Sequence, residues 1–193
     1  MDRFYRVDEY LAAGRLEAIQ NFFQNNVFWT YGWQSDREKI PFGHWNHDFL
    51  ETHHTNQENC EHLLLERDEL RPIRDIWLKL KAEHLQGHAL VRCYANAHTF
   101  GVEGYPHVDS RKPGNYTAIL YVNPIWKPEW AGETVFLNDA GDIFEAVLPR
   151  PGRLVLFDGR VMHAARGLSR ICPAMRATLM FKTRAPGAES DPE

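Results

Sequence analysis

The chain has 193 residues, of which 44% are hydrophobic, 12% aromatic and 25% charged; this excludes a disordered, fibrous or repeat architecture and fits one compact domain. Its 22 Lys and Arg against 26 Asp and Glu give a formal net charge of −4, without the basic excess that phosphate-dominated nucleic-acid binding needs. No apolar run approaches the roughly 18 residues of a membrane span, and the opening MDRFYRVDEYL has acidic residues where a signal peptide has its charged-then-apolar pattern, so a cytoplasmic chain with no nucleic-acid or membrane partner is expected.

Residues 1–87 read as a helical and aromatic part. From Asp8 to Asn25, the apolar residues Leu11, Leu16, Ile19, Phe22 and Phe23 recur at helical spacing, and Asp8 stands where an N-cap would. Residues 26–60 are rich in Trp, His, Asn and Gly without a sustained period, which predicts a long aromatic loop. Phe28, Trp29, Tyr31, Trp33, His44, Trp45 and His47 within it are candidates for a lid or pocket wall. Ile73, Ile76, Trp77 and Leu80 form an apolar stripe behind Pro72, which suits a first helical turn, so a second helix is expected over 72–85.

The period changes in 88–184. Eight short β-rich runs follow one another: ALVRCYANA, GYPHVDS, NYTAILYVN, GETVFLND, DIFEAVLP, GRLVLFDG, VMHAAR and MRATLMFKT, punctuated by Gly, Pro, Asn and Asp. Their alternation predicts a mainly β fold, an antiparallel sandwich or jelly-roll barrel with flanking helices on one face. Residues 185–193 read as a frayed tail of the same single domain. Three cysteines at wide spacings fit neither a disulfide framework nor a zinc set.

Ten histidines raise the question of metal binding. In an extended strand, residues i and i+2 share a face, so His107 and Asp109 can offer an imidazole nitrogen and a carboxylate oxygen to one ion. His163, in a strand that a jelly roll can bring alongside, would supply a third donor. Two histidines and one carboxylate on one face leave coordination positions open, the ligand set associated with non-haem Fe(II) oxygenases. Arg176 opens the last strand with Thr178 on its face, and a planar guanidinium beside a hydroxyl suits the far end of a dicarboxylate. His53 and His54, adjacent in sequence, make no natural chelate, and His84, His88 and His98 read as surface or hydrogen-bonded core residues.

The ordered set His107-x-Asp109, Gly132-Glu133-Thr134-x-Phe136, Pro151-Gly152-Arg153-Leu-Val-Leu-Phe157, His163 and Arg176-x-Thr178 resembles the 2-oxoglutarate and Fe(II)-dependent oxygenase superfamily, in its prolyl-4-hydroxylase-like group. The resemblance spans about Leu90 to Lys182. It implies a double-stranded β-helix (a cupin-like jelly roll), Fe(II) held by His107, Asp109 and His163, and 2-oxoglutarate and O2 as cosubstrates. The 5-carboxylate of 2-oxoglutarate would then meet Arg176 with Thr178, and Tyr94 matches a position that often donates to the cosubstrate. Collagen-type prolyl hydroxylases generally carry Lys where this chain has Arg176, so the resemblance does not name the substrate. Halogenases of the superfamily replace the metal carboxylate by a small residue, so Asp109 points to oxygen-atom chemistry. The implied activity is a dioxygenase that hydroxylates or otherwise oxidises a substrate while 2-oxoglutarate is decarboxylated to succinate and CO2.

A small-molecule substrate, an amino-acid derivative or specialised metabolite, is the leading expectation, with Arg92, Arg111, Tyr116, Trp126 and Arg166 as candidate contacts. The alternatives are a protein-residue (prolyl-type) hydroxylase and a non-catalytic metal- or ligand-binding β-barrel. A homodimer is left open.

Overall fold

The computed structural model describes residues 4–35, 42–52 and 58–190. His53 and His54 lie outside them. Three helices flank ten strands: β1 (Phe4–Val7), α1 (Ala13–Asn26), β2 (Thr30–Trp33), β3 (His44–Asp48), α2 (Glu61–Glu66), α3 (Arg71–His84), β4 (Ala89–His98), β5 (Asn115–Tyr121), β6 (Thr134–Leu137), β7 (Ile143–Val147), β8 (Leu154–Asp158), β9 (Met162–Ala165) and β10 (Arg176–Arg184). They build a seven-stranded sheet, ordered β1-β8-β5-β10-β4-β3-β2, and a three-stranded sheet, ordered β7-β6-β9. Neighbouring strands are antiparallel throughout.

Period-2 alternation divides the large sheet into two environments. Outward-facing Cys93, Ala95, Ala118, Leu120, Leu179 and Phe181 pack under the helices with Ile19, Phe22, Phe23, Ile73, Ile76, Trp77 and Leu80. The stripe on α3 is completely buried, each large side chain contributing roughly 1.5–3 kcal/mol. Inward-facing Ile119, Tyr121, Val155, Phe157 and Met180 meet Phe136 and Val147 of the small sheet. This face-to-face closure of two antiparallel sheets is the double-stranded β-helix, with the helices covering one outer face.

The segment before the barrel is not all helix and loop. β1 extends the large sheet beside β8, and β3 pairs with β4 while β2 pairs with β3. The runs TYGW and HWNHD lack an alternating apolar code because they form one edge of the sheet and turn polar or aromatic residues toward a cavity. Asp8 does not cap α1, whose N-cap is Ala12 without a side-chain bond. It instead accepts two hydrogen bonds from the buried Arg153, at 2.5 Å from Nε and 2.9 Å from Nη2, and so fastens the N-terminal strand to the barrel.

GYPHVDS forms no regular strand. His107 exchanges backbone bonds with His163 as an isolated bridge. The ladder stops there because Pro106 has no N–H and the amides of Asp109 and Ser110 both turn to the Gly159 carbonyl. Residues 185–190 fold back on the barrel: Ala185 N–H donates to Gly114 O at 2.8 Å, and Lys112 Nζ pairs with Glu189 at 2.8 Å. Residues 191–193 of the expected tail lie outside the described part. No helix among the described residues is long and apolar enough to cross a membrane.

Candidate metal centre and active site

A cavity of about 710 Å³ opens on the inner face of the large sheet. Its walls follow the alternation of the strands: Arg92, Tyr94, Asn96 and His98 from β4; Thr117 and Ile119 from β5; and Arg176, Thr178, Met180 and Lys182 from β10. His107, Asp109 and His163 lie in the same space, with one ligand atom from each within 4.8 Å of the others.

Backbone bonds set the chemistry of these three residues. The reciprocal bonds between His107 and His163, at 3.1 and 3.0 Å, lock the two side chains next to each other. His107 Nδ1 lies 2.7 Å from Tyr105 O and His163 Nδ1 lies 3.0 Å from Val161 O. A carbonyl can only accept, so each Nδ1 carries a proton and each Nε2 is the atom turned toward Asp109. Those Nε2 atoms stand 3.5 and 3.6 Å from the two oxygens of Asp109. Two imidazoles and one carboxylate converging from braced backbone are a donor set that fits Fe(II).

Burial is the largest single influence on Asp109 and would raise its carboxyl, but Lys182, His163 and His107 together outweigh it and hold the group well below the usual carboxylate range. Thr117 Oγ1 donates to the same Oδ2 at 2.6 Å. Burial pushes His163 down to about 4 against the opposing pull of Asp109, so His163 is neutral at pH 7. Lys182 is the largest of the influences that favour ionised Asp109, and no sequence pattern singled it out: a lysine near the end of a strand reads as solvated until its partner across the barrel is known.

Farther along β10, Arg176 is 2% exposed. Its Nε donates to Gly132 O at 2.8 Å and its Nη2 to Thr134 Oγ1 at 2.7 Å; Nη1 lies 3.4 Å from His98 Nδ1. Tyr121, fully buried, bonds Thr134 Oγ1 through its hydroxyl at 2.6 Å and lies under the guanidinium, 5.3 Å from ring centre to Cζ. Thr178, two residues on from Arg176 and on the same face of β10, donates to Asn96 O at 3.2 Å. The result is a buried cation among hydroxyls, at the opposite end of the β10 inner face from Lys182, a natural seat for a carboxylate that reaches the metal with its other end. Gly132 is needed here: it has φ +79°, and a Cβ would stand 3.3 Å from Arg176 Cδ and 3.2 Å from Trp126. Tyr121 and Thr134 went unremarked in the sequence because buried aromatics and strand threonines are common core residues.

The remaining candidates separate. Tyr94, Arg92, Arg111 and Tyr116 line the cavity. Trp126 does not: its Nε1 donates to Ala131 O at 2.9 Å and its ring packs with Trp130 and Leu168 behind the Gly132 turn. Arg166 does not either; it is exposed beyond β9, with its backbone N–H on Glu133 O. Of the aromatic stretch, Trp33 and His44 reach the cavity, whereas Trp29 packs on Phe23 and Phe28 is exposed.

His44 and His98 stack at 4.9 Å in the cavity wall, and burial pushes His44 down to about 4. Above pH 6.5 the ring is neutral both folded and unfolded. As pH falls from about 6.5 to 4, the unfolded chain takes up a proton that the folded chain refuses, so stability is lost across that window, on the order of 3 kcal/mol by its lower end. Urea unfolding of metal-free protein at pH 7 and pH 5 should show this fall, and His44→Gln should make it smaller. An unchanged difference would show that His44 is not the group responsible.

A family model, the 2OG-Fe(II) oxygenase superfamily, matches residues 90–181, the stretch that carries His107, Asp109, His163 and Arg176. This stretch is thus similar to the 2OG-Fe(II) oxygenase superfamily. Solved structures agree on the fold. A prolyl-4-hydroxylase of Pseudomonas putida is 21% identical with TM-score 0.60, over 96% of this chain and 94% of that one. A prolyl hydroxylase of Trichoplax adhaerens, in complex with a hypoxia inducible factor peptide fragment, is 18% identical with TM-score 0.61, over 94% and 83%. HygX of Streptomyces hygroscopicus, with nickel, 2-oxoglutarate and hygromycin B bound, is 13% identical with TM-score 0.61, over 96% and 84%. No curated protein matches the chain. The matched stretch and the His107-Asp109-His163 group together support a non-haem Fe(II)- and 2-oxoglutarate-dependent dioxygenase, and the structural neighbours include one in complex with a peptide fragment and one with hygromycin B bound.

Proposed function

We propose that this oxygenase hydroxylates, or otherwise oxidises, a small molecule such as an amino-acid derivative or specialised metabolite, with 2-oxoglutarate decarboxylated to succinate and CO2. The observation that carries this reading is the cavity. About 710 Å³, within the roughly 300–1,000 Å³ of small-molecule sites, accommodates 2-oxoglutarate and a second compact molecule side by side.

In this reading, His107, Asp109 and His163 hold Fe(II), Arg176 and Thr178 bind the 5-carboxylate of 2-oxoglutarate, and Tyr94 donates to the cosubstrate. Bound iron supplies oxygen activation, coupled to decarboxylation of 2-oxoglutarate. The protein supplies placement: Lys182 and Thr117 orient Asp109, the two carbonyl-bound Nδ1 protons fix the histidines, Phe157 packs against the His163 ring, and the apolar wall of Ile119 and Met180 limits water around the reacting centre. Arg92, Arg111 and Tyr116 stand where a substrate would be held. The same reading treats residues 88–184 as the catalytic barrel and 1–87 as its cover, which gives Trp33 and His44 to the substrate wall. Buried free thiols at Cys60 and Cys93 suit a cytoplasmic location.

The test is succinate formation from 2-oxoglutarate with Fe(II) and O2, with and without metabolite fractions, followed by a search for products heavier by one oxygen. Turnover stimulated by small metabolites is the expected result. Stimulation by proline-containing peptides alone would replace this reading with a protein-residue hydroxylase, and no succinate under any condition would leave only a metal-binding barrel.

A further inference from the structure

The carboxylate requirements of the cavity do not account for all its cations. Lys182 is paired with Asp109, and Arg176 has its own polar cage and the cosubstrate's 5-carboxylate to meet. Arg92 lies directly across from Lys182 in the β4–β10 register, an arrangement of like charges that is unfavourable unless each has a counter-charge. Yet Nε and Nη2 of Arg92 are buried without any hydrogen-bond partner. Among the described residues no carboxylate comes within ion-pair distance of it; Asp48 on the neighbouring strand uses Oδ1 for the amides of Leu50 and Glu51, at 3.0 and 3.1 Å. Two desolvated, unused donors on a charged group cost about 1–3 kcal/mol each or more, a cost that a native fold retains where a ligand removes it.

The surroundings fix the shape of that ligand. The guanidinium carbon lies 5.0 Å from the Trp33 ring centre and 4.6 Å from that of Tyr94, and these two rings are near parallel at 6.4 Å. Cation–π contact orients the guanidinium plane without consuming its donors; Nε and Nη2 are closed to solvent in this structure, so a shift of the Trp33 and Tyr94 walls would present the fork for two-point binding of a planar anion. The row Thr117-Lys182-Arg92 is also the row that touches Asp109. An anion on Arg92 would therefore sit beside the metal centre, on the side away from Arg176.

We propose that Arg92, with Trp33 and Tyr94 as its walls, is a second carboxylate-binding subsite of the cavity and that the primary substrate is a carboxylate-bearing small molecule anchored there. This rests on the assignment of Arg176 to 2-oxoglutarate, because it requires that the cosubstrate's 5-carboxylate is bound elsewhere.

The experiment follows the arginine Nε–H resonances by NMR in full-length protein loaded with diamagnetic Zn(II) and saturated with 2-oxoglutarate. The Arg92 signal is assigned by its loss in Arg92→Lys, and the probes are propionate and its uncharged match, propionamide. Propionate is expected to shift the Arg92 signal saturably and propionamide is not, and Arg92→Met should weaken propionate binding about 10–100-fold with 2-oxoglutarate affinity unchanged. Thermal melting of both variants verifies that they are folded. No saturable shift, or an equal shift by propionamide, overturns the proposal. If Arg92→Met instead weakens 2-oxoglutarate as much as Arg176→Met does, the second carboxylate is the cosubstrate's own and the proposal falls. If 2-oxoglutarate leaves the Arg176 resonance unmoved, the cosubstrate assignment fails, while the propionate comparison still decides the role of Arg92.

Discussion

Asp109→Ala should reduce 2-oxoglutarate-dependent succinate formation to the background of free iron. Asp109 is the only carboxylate in the triad, and its two oxygens face the Nε2 atoms of both histidines. Loss of a group that merely hydrogen-bonds a metal ligand costs roughly 10–100-fold in affinity, and loss of the ligand itself should cost more, which titration with Fe(II) or Co(II) would read directly. The variant has a second consequence. It strands Lys182, whose side chain is 15% exposed, without its counter-charge, and breaking a buried pair from one side costs about 3–5 kcal/mol. Metal-free Asp109→Ala should therefore also be less stable in urea. Adding Lys182→Met should recover stability without recovering activity, which separates the structural role of the pair from metal binding. Full succinate formation by Asp109→Ala would remove Asp109 from the metal centre.

Arg176→Met should act on the cosubstrate rather than on the metal. The guanidinium is the buried cation of the Tyr121–Thr134–Gly132 cage, and loss of a hydrogen-bonded buried charge from a carboxylate site is worth about 3 kcal/mol, roughly 100-fold in the 2-oxoglutarate dissociation constant. Metal affinity should stay near that of the unaltered protein, and turnover should partly return at high 2-oxoglutarate. Arg176→Lys keeps the charge but loses the fork that reaches Gly132 O and Thr134 Oγ1 together, so an intermediate loss is expected. Unchanged 2-oxoglutarate affinity in Arg176→Met would move the anchoring site elsewhere, and Arg92 would be the first place to look.

Much of this was legible in residue order. The β-rich runs from Ala89 onward, GYPHVDS excepted, form the strands of the two sheets, and their repeat of two arises because successive side chains of a strand point to opposite faces. His107, Asp109 and His163 could be picked out because metal ligation restricts both residue type and order. The aromatic stretch was a different case. Thr30–Trp33 and His44–Asp48 form strands that carry polar and aromatic residues inward, toward a cavity instead of a core, so the hydrophobic code that marks a strand is missing where the site needs it to be. Trp126 and Arg166 show the converse: nearness in sequence to Gly132 and His163 did not place them in the cavity.

The sequence by itself determined the barrel and singled out His107, Asp109, His163 and Arg176 as candidates, since each depends on residue type and order along the chain. Only the tertiary structure decided which charges meet. Lys182 reaches Asp109 across 73 positions of sequence, Tyr121 and Thr134 close around Arg176 from two other strands, and Arg92 is left with unused donors under Trp33 and Tyr94. Electrostatic pairing acts through distance and burial in space, neither of which a linear pattern contains.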